Sequence, residues 1–117
     1  MDLGIKNRVA LVAASSKGLG KAVALQLSRE GAKVMICARN KERLLKTRDE
    51  IASETGGVVR AFVADVRDRK QVSKMVEQVI NEFGTIDILV CNAGGPPSGM
   101  ADEFTLDDYR DALELNL

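Results

Sequence analysis

Histidine is absent from the 117 residues of this sequence, and so is tryptophan. Without histidine, Ser-His-Asp and Cys-His arrangements, most zinc sites and the commonest general base are excluded. Only two cysteines occur, Cys37 and Cys91, each inside a short apolar run where a free thiol packs as a small hydrophobe. Net charge is absent too: 17 Lys and Arg balance 17 Asp and Glu, which gives no polyelectrolyte signal for nucleic acid or an anionic membrane. No apolar run approaches the roughly 18 residues that a membrane helix needs, and the N-terminus lacks the charged-then-apolar order of a signal peptide. The expectation is a cytoplasmic, soluble chain in the size range of one domain, with neither nucleic acid nor membrane as a partner.

What is present is organised around Ala10-Leu-Val-Ala-Ala-Ser-Ser-Lys-Gly-Leu-Gly-Lys-Ala-Val-Ala24. An apolar run leads into a small, glycine-rich turn and then into a helix-compatible segment. That order leaves unpaired backbone N–H groups at a helix start, where the positive end of the helix dipole also lies. The stretch reads as a cradle for the phosphates of a nucleotide.

The rest of the chain alternates strand and helix. Arg8 to Ala14 reads as a first strand, apolar throughout as a parallel strand covered on both faces should be. A helix from Gly18 to Glu30 comes next, with Leu19, Ala22, Val23 and Leu27 expected on its inward face and Gly31 ending it. Lys33 to Ala38 is a second strand, and Asn40 is placed to cap a charged helix from Lys41 to about Glu54, stopped by Thr55-Gly-Gly57. Val58 to Ala64 is a third strand. Between Arg69 and Phe83, apolar residues at Val72, Met75, Val76, Val79, Ile80 and Phe83 have the spacing of an amphipathic helix. Gly84 ends it, Ile86 to Cys91 is a fourth strand, and Thr105 with Asp108 makes a capping box for a last helix. Such alternation implies right-handed βαβ units and an α/β fold, a doubly wound parallel sheet with helices on both faces. In the order 3-2-1-4, Cys37 and Cys91 would lie about 10 Å apart across strand one, too far for a disulfide.

A lone glycine-rich turn does not define a ligand. The ATP-binding P-loop fails on two counts, because Ser15 stands where its first glycine belongs and Ala22 replaces the Ser or Thr that holds magnesium. The spacing Ala14-x-x-x-Gly18-Leu19-Gly20 instead resembles the Thr-Gly-x-x-x-Gly-x-Gly fingerprint of the short-chain dehydrogenase/reductase family, with Ala13-Ala14 in place of the first Thr-Gly. Three further stretches resemble the same family: Asp65-Val66 at the end of strand three, Cys91-Asn92-Ala93-Gly94 for its Asn-Asn-Ala-Gly motif, and Asn116 on the last helix. Taken singly, Asp65 reads more readily as a surface turn aspartate and Asn92 as an Asx-turn. Together the four span the chain in the family's order.

The resemblance implies a Rossmann-type fold and a set of roles. Residues 1–117 would form the N-terminal portion of an NADP-binding Rossmann domain. Ser15, Ser16, Lys17, Gly18, Leu19, Gly20, Arg39, Asp65, Val66, Asn92, Ala93 and Gly94 would hold the cofactor, Asp65 beside its adenine ring, and Asn116 would be the active-site asparagine that holds a water in the proton path. In dinucleotide folds an acidic residue ending strand two selects NAD, whereas a nearby cation accommodates the 2′-phosphate of NADP. Here Ala38 is followed by Arg39, and Lys17 precedes Gly18, so NADP(H) is the expected cofactor. The opposing reading is that both cations are simply solvated.

The family's catalytic Tyr-x-x-x-Lys has no match: the single tyrosine, Tyr109, is followed four residues on by Leu113. The last helix reaches Leu117 without a stop signal, so the sequence is expected to be cut off after the fourth helix and inactive alone. Two functions are carried forward. One is an NADP-dependent oxidoreductase acting on a small carbonyl or alcohol substrate; its turn and Asn-Ala-Gly loop are loosely like those of 3-oxoacyl-carrier-protein reductases, which implies 3-oxoacyl thioester reduction as a special case. The other is a non-catalytic nucleotide-binding fragment or interaction module. Because the family pairs through its fourth helix, a homodimer or homotetramer is implied.

Overall fold

A computed structural model describes residues 4–13 and 18–91, apart from the side chains of Leu19 and Cys91. Among the described residues four strands and three helices alternate: β1 (Val9–Ala13), α1 (Gly18–Arg29), β2 (Lys33–Ala38), α2 (Lys41–Thr55), β3 (Val59–Val63), α3 (Arg69–Phe83) and β4 (Ile88–Cys91). The strands form one parallel sheet in the order β3-β2-β1-β4. Ala13 sits opposite both Cys37 and Cys91, so two strand spacings separate the cysteine backbones, as the sequence pattern requires.

Side chains alternate strictly between the two faces, as the two-residue period of a strand dictates. Val12, Val34, Ile36 and Ala38 pack with Ala24, Leu44 and Ile51 on the side of α1 and α2. Val9, Leu11, Met35 and Cys37 pack with Val72, Met75, Val76 and Val79 of α3 on the other. β1 and β2 are thus apolar at nearly every position because each is covered on both faces and flanked on both edges. Among the described residues β3 and β4 are the sheet edges, and their side chains are correspondingly less buried.

Helix ends obey local chemistry. Asn40 caps α2, its side chain accepting from Arg43 N–H at 2.9 Å, and Gly56 closes that helix in the left-handed conformation at φ 70°. Asp68 caps α3 in the same way, accepting from Lys70 N–H at 2.9 Å, and Gly84 closes it at φ 84°.

The inward face of α1 differs from the expected one. Gly20, Ala24 and Ser28 are buried, Ala22 is exposed, and Val23 and Leu27 are only half-buried. At about 100° per residue, Ala22 lies opposite the line of Gly20, Ala24 and Ser28. Small residues take the buried line because α1 must approach the sheet and α2 together. The side chains outside that line reach α2 through ion pairs, Lys21 with Glu50 and Arg29 with Glu54.

Ser28 ends in a closed hydroxyl knot with α2. Thr55 Oγ1 donates its one hydrogen to Ile51 C=O at 2.9 Å, so Ser28 must be the donor in the 2.7 Å contact between the two hydroxyls. Thr55 Oγ1 also accepts from Gly57 N–H at 3.1 Å. A Cβ on Gly57 would stand 2.6 Å from Ser28 Oγ, which cannot swing away without breaking the knot. Gly57→Ala is therefore expected to cost about 1–3 kcal/mol, as overpacking does. Adding Ser28→Ala, which removes the clashing oxygen, should recover part of that loss in denaturant titrations; full additivity of the two changes would contradict the clash.

The start of the sheet is held by Asp87. Its carboxylate accepts from Val9 N–H at 2.8 Å while its own N–H donates to Val9 C=O at 2.9 Å, and Arg8 lies 3.8 Å from the second carboxylate oxygen. This side-chain bond takes the place of a ladder bond. Regular β4 begins one residue later, at Ile88, rather than at the expected Ile86.

Candidate functional site

The carboxyl ends of β1, β2 and β3 lie side by side, because Ala13 is in register with Cys37 and Ala38 with Val63. The segments leaving these three strands therefore converge on one edge of the sheet. From β1 the chain passes to α1, which starts at Gly18 with φ +65°, and a Cβ there would meet nothing within 4 Å among the described residues. Only glycine adopts that backbone freely, so the positive φ rather than crowding explains the residue. The first turn of α1 contains no acidic residue, so no side chain of its own offsets the positive end of the helix.

From β2 the chain passes through Ala38, 8% exposed, to Arg39, which is exposed and has no ion-pair partner among the described residues. From β3 it passes through buried Ala64, whose N–H donates to Ala38 C=O at 3.1 Å, to Asp65. The backbones of Arg39 and Asp65 thus leave the sheet from adjoining positions.

The turn from Asp65 to Asp68 is tightly built. Asp65 Oδ1 accepts from Arg67 N–H at 2.9 Å and from Arg67 Nε at 3.0 Å, and Asp65 Oδ2 accepts from the terminal guanidinium nitrogen at 3.0 Å. Asp68 N–H donates to Asp65 C=O at 3.0 Å. Gln71 bridges the two ends, its Oε1 accepting from Asp65 N–H at 2.8 Å and its Nε2 donating to Asp68 Oδ2 at 3.1 Å. Hydrogen bonds from Arg67 hold the Asp65 carboxyl below the usual carboxylate range, and the nearby charge of Arg39 acts in the same direction. Asp65 is therefore ionised at neutral pH. Val66, beside it, is half-buried and packs against the α3 side of the core.

Of the residues singled out from sequence, the structure brings Gly18, Gly20, Arg39, Asp65 and Val66 to this edge of the sheet. Leu19 lies in the first turn of α1 by its backbone. Ala14, Ser15, Ser16, Lys17, Asn92, Ala93, Gly94, the last helix and Asn116 lie outside the described residues. Sequence reasoning missed Arg67, Asp68, Gln71 and Asp87. Asp68 and Gln71 carried a readable signal, since an acid followed three residues later by Gln just before an amphipathic run is a helix-start pattern. Here Gln71 reaches back past the cap residue to Asp65.

Strand order gives the edge its meaning. From β1 the chain crosses outward through β2 to β3, then returns to the opposite side of β1 for β4. Reversals of this kind open a crevice outside the carboxyl ends of the strands, where open α/β sheets take their ligands. The helix start, Arg39 and the Asp65 turn all leave the sheet at the edge where that crevice opens. Among the described residues no cluster of His, Cys, Asp and Glu could hold a metal ion, and no helix is long and apolar enough to cross a membrane.

Comparison with known proteins decides the family. The sequence pattern described as short chain dehydrogenase matches residues 8–117. The chain belongs to the short chain dehydrogenase family. It is 39% identical over 115 residues to the (2S)-[(R)-hydroxy(phenyl)methyl]succinyl-CoA dehydrogenase subunit BbsD of Thauera aromatica, covering 98% of this chain and 46% of that relative. It is 38% identical over 109 residues to a Streptomyces violaceoruber protein named for ketoacyl reduction in the granaticin polyketide synthase, covering 93% of this chain and 40% of the relative. Its fold matches the crystal structure of L-sorbose reductase from Gluconobacter frateurii complexed with NADPH and L-sorbose, with a TM-score of 0.83 and 29% identity over 100% of this chain and 48% of the other. The chain thus spans less than half the length of these relatives. As expected of a member of this family, its described residues form a four-stranded Rossmann-like sheet in the strand order read from its sequence.

Proposed function

We propose that these residues are the cofactor-binding part of an NADP-dependent oxidoreductase that interconverts a carbonyl and an alcohol on a small molecule. The observation that carries this reading is the end of β2. Ala38 stands where a carboxylate would be needed to bond a free ribose 2′-hydroxyl, and the exposed cation Arg39 comes next. A 2′-phosphate facing Arg39 gains a charge-assisted hydrogen bond that NAD cannot form.

The surrounding residues fit a dinucleotide. After β1 the chain reaches a helix start free of acidic side chains, which suits a pyrophosphate. Among the described residues nothing crowds the position of a side chain at Gly18. By resemblance, Ser15, Ser16, Lys17, Val66 and Asn92 to Gly94 also hold the cofactor, Asp65 lies beside the adenine, and Asn116 holds a water for the proton path. When bound, the nicotinamide supplies or accepts a hydride at the substrate carbon. This chain's share is to bind and orient the cofactor and, through Asn116, to hold the water. The sorbose reductase carrying NADPH and the relative named for ketoacyl reduction both support a reductase reading.

The test is a titration of the full-length protein with NADPH and with NADH, followed by the fluorescence of the reduced nicotinamide, together with NADPH consumption in the presence of small ketones and 3-oxoacyl thioesters. Tighter binding of NADPH with carbonyl-dependent turnover is expected. Preference for NADH would overturn the cofactor assignment. Binding without turnover on any carbonyl would favour a nucleotide-binding module.

A further inference from the structure

We propose that Arg67 is a positioning residue for cofactor choice: by clamping the Asp65 carboxylate it keeps that charge from pairing with Arg39, leaving Arg39 available to a 2′-phosphate. The inference rests on the NADP reading above and goes beyond it by assigning a role to a residue outside the sequence motifs.

The geometry begins with the sheet. Ala38 and Ala64 are joined by a hydrogen bond of 3.1 Å, so the residues next in the chain, Arg39 and Asp65, emerge from adjoining strands at the same edge. Arg39 is exposed and Asp65 partly so, and the charge of Arg39 acts on the Asp65 carboxyl, so the two are placed to attract each other. The structure shows a different partner. Arg67 spans both Asp65 oxygens, with side-chain contacts of 3.0 Å to each, and adds its backbone N–H at 2.9 Å. Such a two-oxygen fork is the geometry in which arginine binds a carboxylate most specifically.

An incoming anion feels this clamp in two ways. The first concerns charge. An unpaired Asp65 would repel a 2′-phosphate seated at Arg39, whereas the Asp65–Arg67 pair is close to neutral and leaves the local balance positive. The second concerns geometry, because an Arg39 side chain drawn to Asp65 would have to be released before it could meet the phosphate. The Asp65 carboxyl is depressed by Arg67 first and by Arg39 to a lesser degree, so both cations sense the same carboxylate and Arg67 holds the larger share. The fixed turn beneath, with Gln71 bonded to Asp65 N–H, keeps the carboxylate within reach of Arg67.

The experiment compares Kd for NADPH and NADH in the full-length wild type, Arg67→Gln, Arg67→Lys and the double variant Arg67→Gln with Asp65→Asn. Adenine is common to both cofactors, so any contact of Asp65 with it cancels in the ratio of the two constants. Arg67→Gln is expected to reduce the NADPH preference roughly two- to fivefold, the range of an exposed ion pair. Arg67→Lys should retain most of the preference, and the double variant should regain it, since an asparagine side chain has no charge to divert Arg39. A preference unchanged in Arg67→Gln, or lost and not restored in the double variant, overturns the role given to Arg67. The second of those outcomes would mean that Arg67 itself meets the phosphate. A wild type that does not prefer NADPH overturns the cofactor reading, and this role with it.

Discussion

Replacing Arg39 with alanine in the full-length protein is expected to lower kcat/KM for NADPH by about tenfold or more and to change the value for NADH by less than about threefold. Hydrogen bonds to charged groups contribute about 1.5–3 kcal/mol, and the exposure of Arg39 to solvent places it toward the lower end. At about 1.4 kcal/mol per factor of ten, that lower end corresponds to roughly one order of magnitude. The effect should appear in KM more than in kcat, because the 2′-phosphate is remote from the reacting carbon and is bound equally in ground and transition states. Fold stability is not at issue. Arg39 comes directly after the last residue of β2, carries no ion pair among the described residues, and is the kind of surface position where substitution changes stability by no more than about 0.5 kcal/mol. Adding Ala38→Asp to Arg39→Ala should go further and reverse the preference, since a carboxylate at the end of β2 can bond a ribose 2′-hydroxyl and repels a phosphate. Equal efficiency with both cofactors in the wild type, or an NADPH value unmoved by Arg39→Ala, would remove the basis of the NADP assignment.

The elements that could be read from sequence are those in which one physical signal dominates. α3 was legible over its full length, Arg69–Phe83, because its apolar spacing has a single solution on a helix and Gly84 closes it. The strand order was legible because helices between successive strands force parallel pairing, and the default arrangement of such units is the one observed. The face of α1 was not. Its sequence offers apolar residues on several sides, and the buried line of Gly20, Ala24 and Ser28 is selected by how closely α1 can approach its neighbours, which depends on α2 and the sheet together. The start of β4 was misplaced for a similar reason. Ile86 looks like strand, but the Asp87 carboxylate takes over the first bond to β1, and no local pattern announces that.

The candidate site divides along the same line. Gly18, Arg39 and Asp65 could be placed at one sheet edge because strand ends are readable and the register of parallel strands brings them level. What Asp65 does there was not readable. An aspartate followed two residues later by an arginine is common in solvated turns, and only the backbone path from Asp65 to Asp68 folds Arg67 back onto the carboxylate. Burial also qualifies the motif reading of Val66: it packs into the core on the α3 side, which assigns its side chain a structural duty.

Ile36→Ala is expected to destabilise the fold by about 2–5 kcal/mol in denaturant unfolding, more than any surface change at the cofactor edge. Ile36 is fully buried at the middle of β2, between Val12 of β1 and Ala61 of β3, and it faces the cluster shared with Leu44 and Ile51 of α2. The neighbouring strands hold β2 by backbone bonds on both sides, so the sheet cannot close over the space left by the lost atoms. The upper part of that range is therefore expected. Val63→Ala, on the edge strand of the same sheet and 43% exposed, should cost no more than about 0.5 kcal/mol. Ligand linkage connects this core position to function. A cofactor that binds only the folded state adds about 2.7 kcal/mol at a hundred times its Kd, and Ile36 lies inside the sheet, away from the crevice at its edge. NADPH should then raise the unfolding midpoints of wild type and Ile36→Ala by equal free energies, with a smaller increment from NADH at the same concentration. A loss below about 1 kcal/mol for Ile36→Ala would contradict its place in the core, and an NADPH increment confined to the wild type would show that the cavity reaches the cofactor edge.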